Sequence, residues 1–348
     1  MIKQKELITT SSTSFTSTCL DVDENSLIDE EGDLYGLKFD RVIGEGAWGT
    51  VWHATNPSGD ESYAVKVMSK HSLLKERQQD HAHRERKILP KLDHPFIVSF
   101  TKFYQDTRCL YFVQEFINGG EFHLLLTQNR FLEAPAGQFY AAQIATTLSY
   151  IHSQGIVYRD LKPENMMIGK DGYLKIIDFG LSKRIEKEKY STGKTLTMCG
   201  TPNYIAPEIL QSKPYGYEAD WWSYGVVLYE IFYGQMPFQG NNPSELFKNI
   251  LNGKPRLSPR IDNRINKLIK GLLRKDPKKR YGAKKVLEHE FFKSMDFEKL
   301  QKKKLEVPFF PSVKSESDTK NFAKIKVPRF NMDNCPELSP EEDIFQNW

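Results

Sequence analysis

The chain has 348 residues, and 49 Lys and Arg stand against 45 Asp and Glu, a formal charge of only +4. So small a surplus gives no footing for nucleic-acid binding, while 39% hydrophobic and 27% charged residues describe a soluble globular chain long enough for about two lobes. Cys19, Cys109, Cys199 and Cys335 lie far apart, with neither a zinc pair nor a disulfide ladder. That points to free thiols in a reducing compartment, the cytoplasm, with the nucleus also open to it.

Residues 1–38 are rich in Ser, Thr and acids and poor in aromatics. They read as a flexible extension, without the apolar run of a signal peptide and with Ile2 where myristoylation needs glycine. From Phe39 the texture changes to β-branched and aromatic residues around the turn-forming Asn56 to Asp60, a hairpin meander. Residues 71–91 are helix formers that stop at Pro90. Two more strands flank a turn at Asp106 and Thr107. After Asn118 to Gly120 the pattern becomes helical, over Gly137–Ser153, Trp221–Tyr233 and Ile265–Leu273. The longest apolar run, Trp221 to Tyr233, is broken by Glu230 and too short to span a membrane. A loop-rich stretch, 158–208, lies between these helices, and helix signals fade from about Lys293.

Gly44, Gly46, Gly49 and Val51 form GxGxxGxV. That pattern also marks dinucleotide-binding folds, where the glycine turn opens a helix. Here strand sequence continues through Trp52, which favours a hairpin whose backbone N–H groups cover phosphates. Next on the following strand come Ala64, Val65 and Lys66. A lysine on a buried strand is costly unless paired, and Glu85 on the next helix is its natural counter-ion.

Arg159-Asp160-Leu161-Lys162 with Asn165, then Asp178-Phe179-Gly180, then Ala206-Pro207-Glu208 follow in order. With the glycine loop and Lys66 these resemble the signature set of eukaryotic protein kinases over about residues 39–292. The resemblance implies an α+β, bilobal fold: a small sheet-rich lobe over 39–117, a helical lobe over 118–292, and a tail over 293–348 that wraps the first lobe. It implies a serine/threonine kinase using ATP and Mg²⁺. Asp160 would take the substrate proton, Lys162 would neutralise the transferred phosphoryl group, and Lys66 paired with Glu85 would hold the earlier phosphates. Asn165 and Asp178 would be the metal ligands. The glycines, Val51, Ala64, Gln114 at the gatekeeper position, Glu115 and Glu121 would line the nucleotide site. Glu208 would pair with Arg280, Asp220 would cap the catalytic loop, and Leu89, Phe100, Tyr158 and Phe179 would stack between the lobes. The alternative, a nucleotide-binding pseudokinase or scaffold, runs against the intact catalytic set.

Tyr158 before Arg159, the segment Cys199 to Glu208, and a tail carrying Val307 to Pro311, Asp318 to Phe322 and the terminal Phe345 and Trp348 resemble the AGC group. Among its members the likeness is greatest to cyclic-nucleotide-dependent kinases. That implies Glu121, Glu164 and Glu230 as acids selecting Arg or Lys before the target, and Met198, Pro202 and Ile205 as an apolar slot for the residue after it. Thr197 would be the activating phosphosite, held by Arg159, Lys183 and His81 after an upstream kinase acts. Residues 1–38 are too few for a cyclic-nucleotide-binding domain, so such control would need a separate regulatory subunit.

Overall fold

The computed structural model describes residues 36–46, 49–185, 194–197, 199–325, 335–346 and 348. Five strands open it: β1 (Lys38–Gly46), β2 (Gly49–Thr55), β3 (Ser62–Ser69), β4 (Phe100–Gln105) and β5 (Cys109–Glu115). They form one antiparallel sheet in the order β1-β2-β3-β5-β4. The period of two along β3 assigns its faces. Val65 and Val67 pack with Trp52, Ala54, Tyr111 and Val113. Met68 faces the other way, with Leu110, Phe112 and Ala82. Lys66 has the parity of Met68 and so lies on the helix-covered face.

Residues 71–91, expected as one helix, are two: α1 (Lys70–Lys75) and α2 (Gln79–Ile88). α1 ends in a Schellman closure. Gln78 N donates to Leu73 O at 2.7 Å, Arg77 N to Leu74 O at 3.1 Å, and Arg77 takes the left-handed φ of 56°. The break frees α2 to set its own angle against β3.

The second lobe is built on helices α3 (Phe122–Asn129), α4 (Ala134–Ser153), α5 (Pro207–Leu210), α6 (Glu218–Tyr233), α7 (Pro243–Asn252), α8 (Asn263–Leu272) and α9 (Ala283–Leu287). α6 is apolar nearly all round, as a central helix must be, and contacts α4 and α8. It stops at Gly234, whose φ of 64° suits glycine and where a Cβ would meet Arg130 O at 2.1 Å. Between α4 and α5 the short strands β6 (Ile156–Val157), β7 (Met166–Ile168), β8 (Leu174–Ile176) and β9 (Lys183–Arg184) pair as β6 with β9 and β7 with β8.

The tail adds a helix that the fading sequence pattern does not announce, α10 (Phe297–Gln301). It then runs back along both lobes. Tyr173 Oη donates to Leu305 O, Asn118 Nδ2 donates to Ser315 O, and Phe322 stacks on Phe116 at 5.4 Å. Arg41 Nη2 donates to the Ala323 carbonyl at 2.7 Å, a backbone contact that works whatever side chain stands there. Phe345 is fully buried against Met68, Leu73 and Ala82. Trp348 packs edge-on to it at 4.7 Å, and Lys70 Nζ meets Asp343 Oδ2 at 2.6 Å with both side chains buried.

Glu208 and Arg280 form a bidentate pair at 2.6 and 2.8 Å, almost sealed from solvent, as the sequence leads one to expect. Breaking such a pair on one side strands a buried charge. Arg280→Met is expected to lower unfolding free energy by about 3–5 kcal/mol, read by chemical denaturation. A loss within about 0.5 kcal/mol, typical of a surface change, would contradict the pair's structural role.

Candidate active site

The site lies where β3, α2 and the loops after β6 and β8 meet. Lys66 Nζ is 2.7 Å from Glu85 Oε2 and 3.5 Å from Asp178 Oδ1. Burial works against the Lys66 charge, but the carboxylates of Asp178 and Glu85 outweigh it and hold the ammonium above its ordinary value. Partial burial works against the Asp178 charge, yet Lys66 and the Gly180 N–H pull its carboxyl below the usual range, so it is ionised at neutral pH. Its Oδ1 accepts the Gly180 N–H at 3.0 Å, and its φ is 57°, a left-handed backbone at a residue that is not glycine.

The glycine hairpin joins β1 and β2, with Gly46 opposite Gly49. Gly49 has φ 149°, and a Cβ there would lie 2.1 Å from Val67 O. Only glycine lets β2 approach β3 so closely, and this sets the hairpin over Lys66. Val51 stands opposite Lys66, and Ala64 opposite Gln114. Gln114 is buried and its Nε2 donates to Glu85 Oε1 at 3.3 Å. The Glu115 carboxylate is held by Lys175 Nζ and the Ser99 N–H, both at 2.6 Å, so its side chain is committed outside the cleft.

Asp160 gathers three donors. Asn165 Nδ2 donates to its Oδ2 at 2.8 Å, Thr201 Oγ1 to its Oδ1 at 2.9 Å, and Lys162 Nζ lies 3.0 Å from Oδ2. Lys162 also donates to Thr201 Oγ1 at 2.8 Å. Thr201 thus belongs to the site, although sequence reading passes over it. Asn165 gives its NH₂ to Asp160, which leaves its carbonyl oxygen available. Among the described residues no group of three His, Cys, Asp or Glu side chains is placed to hold a metal. The Asn165 oxygen and the Asp178 carboxylate do suit Mg²⁺, which keeps waters and takes phosphate oxygens for the rest of its shell.

The catalytic loop is hung from Asp220, which is wholly buried. Tyr158 N donates to its Oδ2 and Arg159 N to its Oδ1, each at 2.8 Å, and His152 Nε2 lies 2.7 Å from Oδ2. These bonds hold Arg159 at φ 73°. Tyr158 is edge-on to Phe179 at 5.2 Å, with Leu89 buried and Phe100 partly buried in the same core.

Thr197 is exposed, and its Oγ1 is 3.4 Å from Thr195 Oγ1. Lys183 Nζ donates to Thr195 at 3.1 Å rather than to Thr197. Arg159 Nε donates to Leu181 O at 2.5 Å, while its Nη1 and Nη2 are buried with no hydrogen-bond partner among the described residues. Burial, Arg159 and Arg84 together hold the Lys183 ammonium below its ordinary value. Burial and Arg84 push the His81 imidazole down, so it is neutral at pH 7. Arg84, one turn along α2 from His81, is therefore a member of this cation cluster that motif reading omits. Cys199 is half-buried, with Sγ 3.6 Å from the Tyr215 hydroxyl.

Of the acids, Glu164 is exposed and Glu230 half-buried, with Tyr204 Oη donating to Glu230 Oε2 at 2.8 Å. Burial raises the Glu230 carboxyl, the Tyr204 hydroxyl opposes this, and Glu164 adds to the rise. Glu121 is exposed ahead of α3, and its backbone bridges Met167. Pro202 is exposed, and Ile205 is buried beside a small pocket with Gly200, Thr201 and Tyr204. Met198 lies outside the described residues.

The protein kinase domain family matches residues 37–292, and the chain belongs to that family. Serine/threonine-protein kinase Sgk1-A of Xenopus laevis is 43% identical over 292 residues, 82% of this chain and 66% of the relative. Sgk1 of Gallus gallus is 43% identical over 289 residues, again 82% of this chain and 66% of the relative. The chain thus spans about two thirds of the length of these curated relatives. Both relatives are serine/threonine-protein kinases by name. They lend no support to the pseudokinase alternative or to the cyclic-nucleotide-dependent label.

Asp220→Asn replaces one acceptor with an NH₂ facing a backbone or imidazole donor. It is expected to cost about 1–3 kcal/mol of stability, seen in denaturant melts, together with a fall in kcat. Unchanged stability and kcat would show that the loop does not hang from Asp220.

Proposed function

We propose that this chain transfers the γ-phosphoryl group of ATP to serine or threonine hydroxyls preceded by basic residues, and that phosphorylation of Thr197 switches it on. One observation carries the reading. Lys66 and Asp178, 112 residues apart in sequence, meet with the buried Glu85 in one charge cluster beside the Asp160, Lys162 and Asn165 network. Lys66, fixed by Glu85, holds the α- and β-phosphates. Asn165 and Asp178 hold Mg²⁺, which neutralises phosphate charge when bound. Asp160 orients the attacking hydroxyl and accepts its proton, and Lys162 balances charge on the group in flight.

Glu164 contributes to the raised carboxyl of Glu230, and two acids on this side of the site favour a cationic side chain on the substrate. Glu121 is the third, more exposed acid. Lys183 reaches the Thr197 segment through Thr195, and among the described residues the buried Nη groups of Arg159 make no hydrogen bond in the geometry, so a phosphate would supply an acceptor. This favours control by an upstream kinase. The finer expectation of a cyclic-nucleotide-binding subunit draws no support from Sgk1 relatives and is not carried forward.

The test is phosphotransfer from Mg-ATP to a serine peptide carrying arginines, using protein phosphorylated on Thr197. Wild type should turn over, Asp178→Ala should fall by at least about 10²-fold, and Thr197→Ala should fall well below wild type. No turnover by phosphorylated wild type would overturn the catalytic reading, and equal rates for Thr197→Ala would overturn the switch.

A further inference from the structure

Gln114 sits on β5 opposite Ala64 of β3, beside the nucleotide site, with only 9% of its surface exposed. A buried amide needs partners. Its Nε2 donates to Glu85 Oε1 at 3.3 Å, so the NH₂ group points to α2. Glu85 is itself 1% exposed, and its other oxygen, Oε2, accepts Lys66 Nζ at 2.7 Å. The two carboxylate oxygens therefore have different partners, Lys66 from β3 and Gln114 from β5. A buried carboxylate is stable only if both oxygens are satisfied. An apolar side chain at position 114 cannot donate to Oε1.

Resting on the kinase reading above, we propose that Gln114 is a positioning residue for phosphoryl transfer: it holds the second oxygen of Glu85 and so keeps α2 where Glu85 pairs with Lys66. Gln114 then acts on the nucleotide phosphates through Glu85 and Lys66 rather than by touching them. The alignment of Lys66 depends on strand β5 as well as on helix α2. This also accounts for a buried amide that follows the apolar run Leu110 to Val113 on β5.

The charged groups acting on Glu85 are Lys66 from β3 and Asp178 from the loop after β8. Gln114→Glu would set a second carboxylate beside Glu85. The two can share one proton and keep the contact, but once that proton leaves, like charges repel. Their separation would release α2, so activity should be lost as pH rises.

The experiment compares wild type, Gln114→Leu and Gln114→Glu as full-length, Thr197-phosphorylated protein, with melting curves for each. Gln114→Leu is expected to raise KM for ATP about tenfold, with KM for the peptide unchanged. Gln114→Glu should approach the wild-type rate near about pH 6 and fall relative to wild type toward about pH 8.5. If both variants keep the wild-type KM for ATP and the wild-type pH profile, the inference fails. It also fails if Gln114→Glu loses the same fraction of activity at every pH, the mark of a packing defect alone. Should Gln114→Leu not fold, the pH profile of Gln114→Glu decides. Absence of turnover in wild type would instead overturn the kinase reading.

Discussion

Everything at the site depends on one buried ion pair, Lys66 with Glu85. Its side chains are 14% and 1% exposed, so neither charge has much water to fall back on. Two charges in that setting are tolerable only in contact, since each alone faces a desolvation cost of several kcal/mol. Contact requires β3 and α2 at one distance and angle, and Asp178 joins only when its loop turns through a left-handed residue. The helix is braced from both sides. Gln114 meets Glu85 on the inner side, and Ala82 packs on Phe345 of the tail on the outer. The Lys70–Asp343 bond fastens that tail to the start of α1. The tail is in this sense part of the machinery that aligns Lys66.

The second lobe supplies a rigid floor. Asp220 organises the catalytic loop from within α6, and Glu208 is locked to Arg280 beneath the substrate segment. Asp160 is then held half-buried at the cleft while Tyr158 and Leu161 beside it are core residues.

Much of this is legible from sequence because the chemistry demands particular residue types at nearly fixed spacing. Lys66, Asp160, Asn165 and Asp178 have few substitutes, and Glu208, Arg280 and Asp220 are named correctly for the same reason. What escapes is what distance in sequence hides. Thr201 bonds Asp160 from 41 residues away, and Gln114 reaches Glu85 across 29. Arg84 stands among several basic residues on its helix, with no local sign of which one acts on Arg159 and Lys183. The split between α1 and α2 is missed because Arg77 is an ordinary helix former that here closes a Schellman turn. The subgroup is misread because acids for basic substrates and a tail ending in aromatics are general to AGC kinases and do not separate the cyclic-nucleotide-dependent members from Sgk1.

A double-mutant cycle on Lys66 and Glu85 tests the central constraint most directly, with kcat/KM for ATP as the readout. If the pair acts as one unit, Lys66→Met, Glu85→Gln and the double variant all lose activity to a similar extent, and the second substitution adds almost nothing to the first. Losses that simply multiply would mean the two residues contribute independently, and would contradict the account.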